Sequence, residues 1–521
     1  MTTTAFSSFW MPDAGSHSAA RRFLFVYLAG VVLLWTFLCA VSHKAPDLDG
    51  MEELVWASSL EWGYSKHPPL PSWFMWALVE LFGRPLWLTF FAGQLVSAVA
   101  LWFVFLLGCE FTTPRRALIA TLMVSVTLYF SLRGTIYNHN TAQLWSVAAS
   151  TWLLFRAVRD NRLSDWVWLG LVAGLAMLTK YSALVQFAAF FVFMLVQGHL
   201  RRPQVWKGIL VAALVFAVVF LPHLLWLVGN DFAPLRYADR SMETDATYVQ
   251  IVLGAIDFSL DQLARISPML VLWIGLWWWQ RRDAIPTLHT VNTQTYAQAI
   301  DPRARAFLGW VGFGPLVVTL LVALVLATQL VSAWGTTFFI LFGFYSFWFL
   351  KGNDQVWFRR TALLAIALQL LMAIGYAVAR GPLAYETGRM TRSTFPGPEL
   401  ALKVQEIWSA HVPDHPLLLV ASDTWFGGNV ATNISDDTQV FISADYFQSP
   451  WLDPETALDC GVMVLFSPDG RGYWSADLMA LYERMPIKGT FAQRWSSDTS
   501  PVFTVQYGAL PPADVCKAVA R

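Results

Sequence analysis

Charge is what this sequence has little of. Asp, Glu, Lys and Arg make up 13% of its 521 residues, where a soluble globular chain carries about 25%. Acids and bases balance at 35 each, so no net field draws in a polyanion. No Lys/Arg-rich tract follows the pattern of a nucleic-acid backbone, and a nucleic-acid partner is set aside. Cysteine is also scarce. There are four, none in a Cys-x-x-Cys pair, and His-Glu-x-x-His is missing, so neither a structural zinc site nor a zincin has support. Cys39 and Cys109 fall in or beside apolar runs, where a thiol acts as a small hydrophobe. Cys460 and Cys516 lie in the polar C-terminal part and can pair if that part is outside the cytoplasm. No internal repeat is visible, which counts against a lipid-linked-sugar transporter or flippase built from paired halves. A cleavable signal peptide is not evident either. The first twenty or so residues are polar and mixed, and Arg21-Arg22 lead straight into an apolar run that reads as a signal anchor.

What the chain has instead is grease: 56% hydrophobic residues, with 27 Trp and 38 Phe. That composition predicts a polytopic α-helical membrane protein. About eleven spans are expected on the ~20-residue apolar criterion, near 22–42, 85–108, 115–133, 141–157, 164–180, 182–198, 207–228, 262–280, 305–326, 331–350 and 360–380. Leu70–Phe82 is apolar but short, and reads as a helix lying in the interface. Alternate loops differ in Lys and Arg. One set, from Arg21-Arg22 to Arg359-Arg360, holds seventeen, and the other holds eight. The richer set is expected in the cytoplasm, which places 43–84, 134–140, 229–261 and everything after about 381 outside. Residues 283–304 read as a cytoplasmic loop. The division expected is a transmembrane domain over 1–380 and a soluble periplasmic α/β domain over 381–521. In the latter, His415–Ser422, Gln439–Ser443, Val462–Ser467 and Val502–Tyr507 read as strands, and Glu399–His411 and Ala476–Arg484 as helices.

The scarce polar residues of the outer face gather in four places. In the first, Asp49, Glu52 and Glu53 stand at i, i+3 and i+4, so a helix would turn all three one way. Like charges on one face need a cation, a raised pKa or solvent, and Lys66 and His67 follow just before the stiff Pro68-Pro69 pair. The others are Arg133-Gly-Thr-Ile-Tyr-Asn-His-Asn140, Thr179-Lys-Tyr-Ser182, and the stretch from Asn230 to Arg240. Acids from one loop and cations from three more suit an anionic ligand anchored in lipid, with a hydroxyl nearby to be deprotonated.

The run Asp49-x13-Gly-Tyr-Ser-Lys-His-Pro-Pro-Leu70 resembles the first outer loop of bacterial lipid-linked-sugar glycosyltransferases of the GT-C type. These are relatives of the dolichyl-phosphate-mannose–protein mannosyltransferases and of the aminoarabinose transferase that modifies lipid A. Leu178-Thr-Lys-Tyr181 is similar to the family's Lys-bearing end of a later span. Two departures stand out. Gly50 follows Asp49 where the family often has Glu, and Asn140 stands where an acid is usual. The resemblance implies a GT-C fold of about eleven transmembrane helices with a C-terminal α/β domain. It also implies inverting transfer of one sugar from a polyprenyl-phosphate donor (undecaprenyl phosphate in bacteria) to an envelope glycolipid such as lipid A, or else to a protein, at the periplasmic face of the inner membrane. Asp49 falls on the family's acid and is the expected general base, with Glu52 and His67 beside it. Lys66, Lys180, Tyr181, Arg236 and Arg240 would hold the lipid phosphate. Tyr64, Glu53, His139 and Asn140 would line the donor or acceptor pocket. No organic cofactor is expected, and a divalent ion near Asp49, Glu52 and Glu53 is allowed but not required.

Overall fold

The structure, a computed structural model, describes residues 16–242, 245–283, 300–350, 354–469 and 474–513. Thirteen helices make up its first part: α1 (His17–Ser42), α2 (Leu48–Trp56), α3 (Leu70–Phe82), α4 (Trp87–Phe111), α5 (Pro114–Ser125), α6 (His139–Asp160), α7 (Leu163–Thr179), α8 (Ala183–Val196), α9 (Pro203–Gly229), α10 (Ala233–Met242), α11 (Tyr248–Asp283), α12 (Pro302–Leu326) and α13 (Asp354–Arg380). Their ends carry ordinary stop and start chemistry. Ser16, Thr113, Asn138 and Asp301 cap N-termini with side-chain oxygens, and Pro114 and Pro302 sit in first turns. Asn161 ends α6 in the left-handed conformation. By length and composition, α1, α4, α9, α12 and the helix beginning at Asp354 are long and apolar enough to cross a membrane.

Two of the expected spans take another form. Residues 331–350 fold as two 3-10 helices, Ser332–Thr337 and Phe342–Trp348, rather than one membrane-length helix. The segment is apolar because it is buried in protein: Phe338, Phe339, Phe344 and Phe347 are all at most 5% exposed. Gly343 lies where a Cβ would come within 2.1 Å of the Ala120 carbonyl oxygen. The run at 115–133 is helical only as far as Ser125, and turns fill the rest. The loop expected over 283–304 lies largely outside the described residues. Helix α6, by contrast, is buried along most of its length and carries Gln143, Ser146, Ser150 and Thr151 inside. Its hydroxyls donate back to carbonyls three or four residues earlier in the same helix, so a buried helix need not be apolar all round.

The C-terminal part is a small sheet domain. Five strands, β1 (Leu419–Ser422), β2 (Gln439–Ile442), β3 (Val462–Phe466), β4 (Ile487–Arg494) and β5 (Val502–Leu510), form one sheet in the order β2-β1-β3-β5-β4. The first three are parallel, and β5 and β4 add on antiparallel. Helices α14 (Gly397–His411), α15 (Thr424–Ile434) and α16 (Ala476–Glu483) complete it. The expected strands and both expected helices are present with shifted ends, while α15 and β4 are additional. Cys460 is disulfide-bonded, and Cys39 and Cys109 carry free thiols; Cys516 lies outside the described residues.

This domain sits directly on the first loop. Helix α15 packs on α2 so closely that a Cβ on Gly428 would be 2.6 Å from Met51 and 3.0 Å from Val55. Trp425 donates its indole N–H to the Pro46 carbonyl at 3.2 Å. Lys44 pairs with Glu399, and Arg392 with Asp47. Arg84, 7% exposed, donates its backbone N–H to Asp436 at 2.9 Å and its guanidinium to Ser58 at 3.0 Å.

Candidate active site

Asp47 caps the first turn of α2, and the helical spacing does what the sequence predicts: Asp49, Glu52 and Glu53 all line one cavity of about 510 Å³. Each carboxylate finds its own partner. Glu52 forms an ion pair with Lys66 at 2.5 Å. Glu53, 1% exposed, accepts from Ser72 Oγ at 2.8 Å and faces His139 Nδ1 at 3.0 Å. Asp49 accepts only an amide hydrogen bond, from Asn138 Nδ2 at 2.8 Å, and it is exposed. Burial pushes the Glu52 carboxyl up, opposed by the Lys66 ammonium. Burial also works against the Lys66 charge, but the Glu52 carboxylate outweighs it and holds the lysine above its usual range.

The Gly63–Leu70 turn presents the cations. Gly63 lies against Trp226, where a Cβ would be 2.3 Å from the indole, so only glycine fits. Tyr64 stacks on Trp56 at 4.9 Å and donates to the Ser59 carbonyl at 2.6 Å. It is buried and does not line the cavity; its work is to brace the turn. The Pro68 carbonyl faces His139 Nε2 at 3.3 Å. His67 and His139 pack with ring centroids 4.0 Å apart. Burial, then the neighbouring His139, Lys180 and Lys66, hold His67 well below its ordinary pKa, so it is a neutral imidazole. It therefore supplies no permanent positive charge to the site.

Lys180 ends α7 and reaches Asn140, to whose side-chain oxygen its ammonium donates. Tyr181 donates to or accepts from His223 Nε2 at 2.8 Å, and His223 Nδ1 lies 2.6 Å from the Trp62 carbonyl. Asp49, Glu52, Glu53, Lys66, His67, His139, Asn140, Lys180 and Tyr181 thus meet at one cavity. Arg236 and Arg240 do not. Both are exposed on α10, whose cavity-facing residues are Pro234, Tyr237, Ala238, Ser241 and Met242. Four residues apart from that face, the arginines are a helical-phase miss. The far wall of the cavity is apolar: Val322 and Ala323 from α12, then Leu330, Val331, Trp334 and Phe338. Among the described residues, no group of three or more His, Cys, Asp or Glu side chains is arranged to hold a metal ion.

Sequence reasoning passed over Asn138, which caps α6 by accepting from the Thr141 N–H at 2.9 Å while its amide holds Asp49. Its position three residues before Thr141, at the start of a helix, was the available signal. It also passed over the 331–338 wall, because an apolar run long enough for a span hid two buried turns.

A multi-helix bundle with a small sheet domain over a half-polar, half-apolar cavity defines a class: a multi-pass membrane protein of GT-C architecture. The whole chain superposes on the crystal structure of ArnT from Cupriavidus metallidurans in the apo state with a TM-score of 0.61 at 13% identity, covering 94% of this chain and 98% of that one. For the same protein bound to undecaprenyl phosphate the TM-score is 0.59, with coverage of 93% and 98%. The family model described as dolichyl-phosphate-mannose-protein mannosyltransferase matches residues 66–226. The lipopolysaccharide core galacturonosyltransferase RgtA of Rhizobium johnstonii is 24% identical over 423 residues, 78% of this chain and 80% of RgtA. RgtB, of the same description and organism, is 25% identical over 246 residues, which is 46% of this chain and 49% of RgtB. The lipid A galacturonosyltransferase RgtD is 22% identical over 231 residues, 44% and 48%. The chain thus spans only about half the length of two of these curated relatives. The chain thus shares the fold of a GT-C glycosyltransferase and, over part of its length, is similar in sequence to glycosyltransferases.

Proposed function

We propose that this protein is an inverting glycosyltransferase that moves one sugar from a polyprenyl-phosphate donor to an envelope glycolipid of the lipid A or lipopolysaccharide kind, at the periplasmic face of the bacterial inner membrane. The observation that carries the reading is the cavity itself. One end holds Asp49, hydrogen-bonded to the Asn138 amide, and Lys180, whose ammonium donates to Asn140 and feels the Asp49 carboxylate, and the other is walled by Val322, Leu330, Val331, Trp334 and Phe338. Such a site suits a ligand with an anionic head and a hydrocarbon tail. The solved relative that holds undecaprenyl phosphate and the lipopolysaccharide-directed relatives support the same reading.

In the transfer, the acceptor hydroxyl oxygen forms a bond to the anomeric carbon. Its proton passes to Asp49, whose exposed carboxylate is able to take it. The bond from the anomeric carbon to the phosphate oxygen breaks, and the electron pair leaves on the lipid phosphate. That group needs positive charge rather than a proton, and the Lys180 ammonium supplies it. Glu52 holds Lys66 at the rim, and Glu53 with His139 ties α2 to the start of α6. No cofactor enters the scheme, and activity is expected to persist in chelator. The test is mass spectrometry of envelope lipids from cells with wild-type protein, with Asp49→Asn and without the gene. A mass increment of one sugar on a glycolipid, present only with wild type, is the expected result. An increment that Asp49→Asn leaves intact would sink the mechanism.

A further inference from the structure

Glycosyltransfer alone does not say whether the donated sugar is neutral, basic or acidic. The pairing of charges in the cavity does. Of the described charged residues lining it, Lys66 is engaged by Glu52 at 2.5 Å. His139 presents Nδ1 to Glu53 at 3.0 Å and Nε2 to the Pro68 carbonyl at 3.3 Å, so both of its nitrogens already face acceptors. His67, its ring centroid 4.0 Å from that of His139, cannot be charged together with it without repulsion. Lys180 is left as the ammonium that forms no ion pair among the described residues: it donates to the neutral Asn140 side chain and feels the Asp49 carboxylate only at a distance. A sugar–phosphate–lipid diester carries one negative charge, and Lys180 matches it.

Two other lining groups, Tyr181 and Asp49, accept hydrogen bonds. The Trp62 carbonyl accepts a hydrogen bond from the His223 Nδ1–H, which in the neutral imidazole leaves Nε2 bare and obliges the Tyr181 hydroxyl to donate to it. Tyr181 then offers the cavity only lone pairs. Asp49 offers a carboxylate bound to one amide. A sugar lying against these two groups must bring N–H or O–H groups. A second anion on the sugar would meet Asp49 and, among the described lining residues, find no cation beyond Lys66, held by Glu52, and Lys180, taken by the phosphate.

We infer that the donor sugar is uncharged or amine-bearing, and that this site excludes hexuronates, the sugar class in the names of its curated relatives. The inference rests on the polyprenyl-phosphate reading above. Purified full-length protein in nanodiscs tests it, by tryptophan quenching with short-chain polyprenyl-phosphate hexose, aminopentose and hexuronate as probes. The hexose or aminopentose probe should bind roughly tenfold or more tightly than the hexuronate. Glu52→Gln, which releases Lys66, should narrow that ratio, while Tyr181→Phe should weaken the preferred probe and leave the hexuronate unchanged. A hexuronate bound as well as or better than the others overturns this inference and leaves the transferase reading standing. Failure of all three probes to bind the folded wild-type protein overturns both.

Discussion

A general base must hold an unshared carboxylate, and on α2 two of the three are already engaged, Glu52 by the Lys66 ammonium and Glu53 by the Ser72 hydroxyl and the His139 ring. Asp49, with an amide for a partner, is the one that keeps its capacity. Asp49→Asn preserves shape and the Asn138 contact region while removing the basic oxygen. It should lower turnover by about 10²–10⁴, the usual worth of general base catalysis, with donor affinity retained in a quenching titration. Lys180→Met addresses the other half of the chemistry. It should weaken donor binding by roughly 1.5–3 kcal/mol, the range for a hydrogen bond to a charged group, and equal affinity in wild type and variant would remove Lys180 from the phosphate. His67 gives a pH signature. Its folded pKa lies well below the ordinary 6.5, so below 6.5 the unfolded chain takes up a proton that the folded one refuses. Stability from this group is therefore complete above that pH and falls as the pH drops toward the folded value, by about 1.4 kcal/mol per pH unit. His67→Gln should flatten the acid limb of the melting-temperature profile; an unchanged limb would assign the acid sensitivity elsewhere.

Elements carry the site through contacts that leave no room. Gly63 is the clearest, because the atoms a Cβ would strike belong to the rigid ring of Trp226 on α9. Gly63→Ala should cost about 1–3 kcal/mol by overpacking and displace the turn bearing Lys66 and His67, read as a lower melting temperature together with a loss of donor binding larger than the stability change explains. Elements also differ in how far they could be read from sequence. The three acids of α2 were legible because a 3.6-residue period projects them together, and Lys66, His67 and Lys180 because cations at the ends of apolar runs are few. Parallel β1, β2 and β3 were legible as short continuous apolar runs. Edge strand β4 was not: its alternating, half-exposed pattern, Ile-Lys-Gly-Thr-Phe-Ala-Gln-Arg, buries one face weakly. Helix α15 was hidden because it carries Gly427-Gly428, poor helix formers that let α15 approach β1 and α2. The phase of α10 was unreadable too, since Arg236 and Arg240 share a face with each other but not with Tyr237 and Ser241, which reach the cavity.

At the scale of the whole molecule, the sheet domain and the first loop act as one body. On the bundle side, Lys44 is bonded to Glu399, Asp47 to Arg392, and Arg84 to both Asp436 and the Thr438 carbonyl of the domain or its approach. Whichever side of the membrane holds Asp49 must therefore hold the sheet. The loop charge count expected from the sequence, seventeen against eight, predicts that both lie on the outer side, because positive loops stay in the cytoplasm. Single exposed positions can report this directly, since Cys39 is buried and Cys109 half-buried in the bundle. Lys403→Cys lies on the solvent face of α14, its side chain 48% exposed. Arg201→Cys lies in the exposed turn between α8 and α9. In cells with a permeabilised outer membrane, a membrane-impermeant maleimide should label the first and spare the second until the inner membrane is breached. Labelling in the reverse order would place Asp49 and Lys180 in the cytoplasm, where a periplasmic acceptor could not reach them, and the proposed reaction would have to be abandoned along with the orientation.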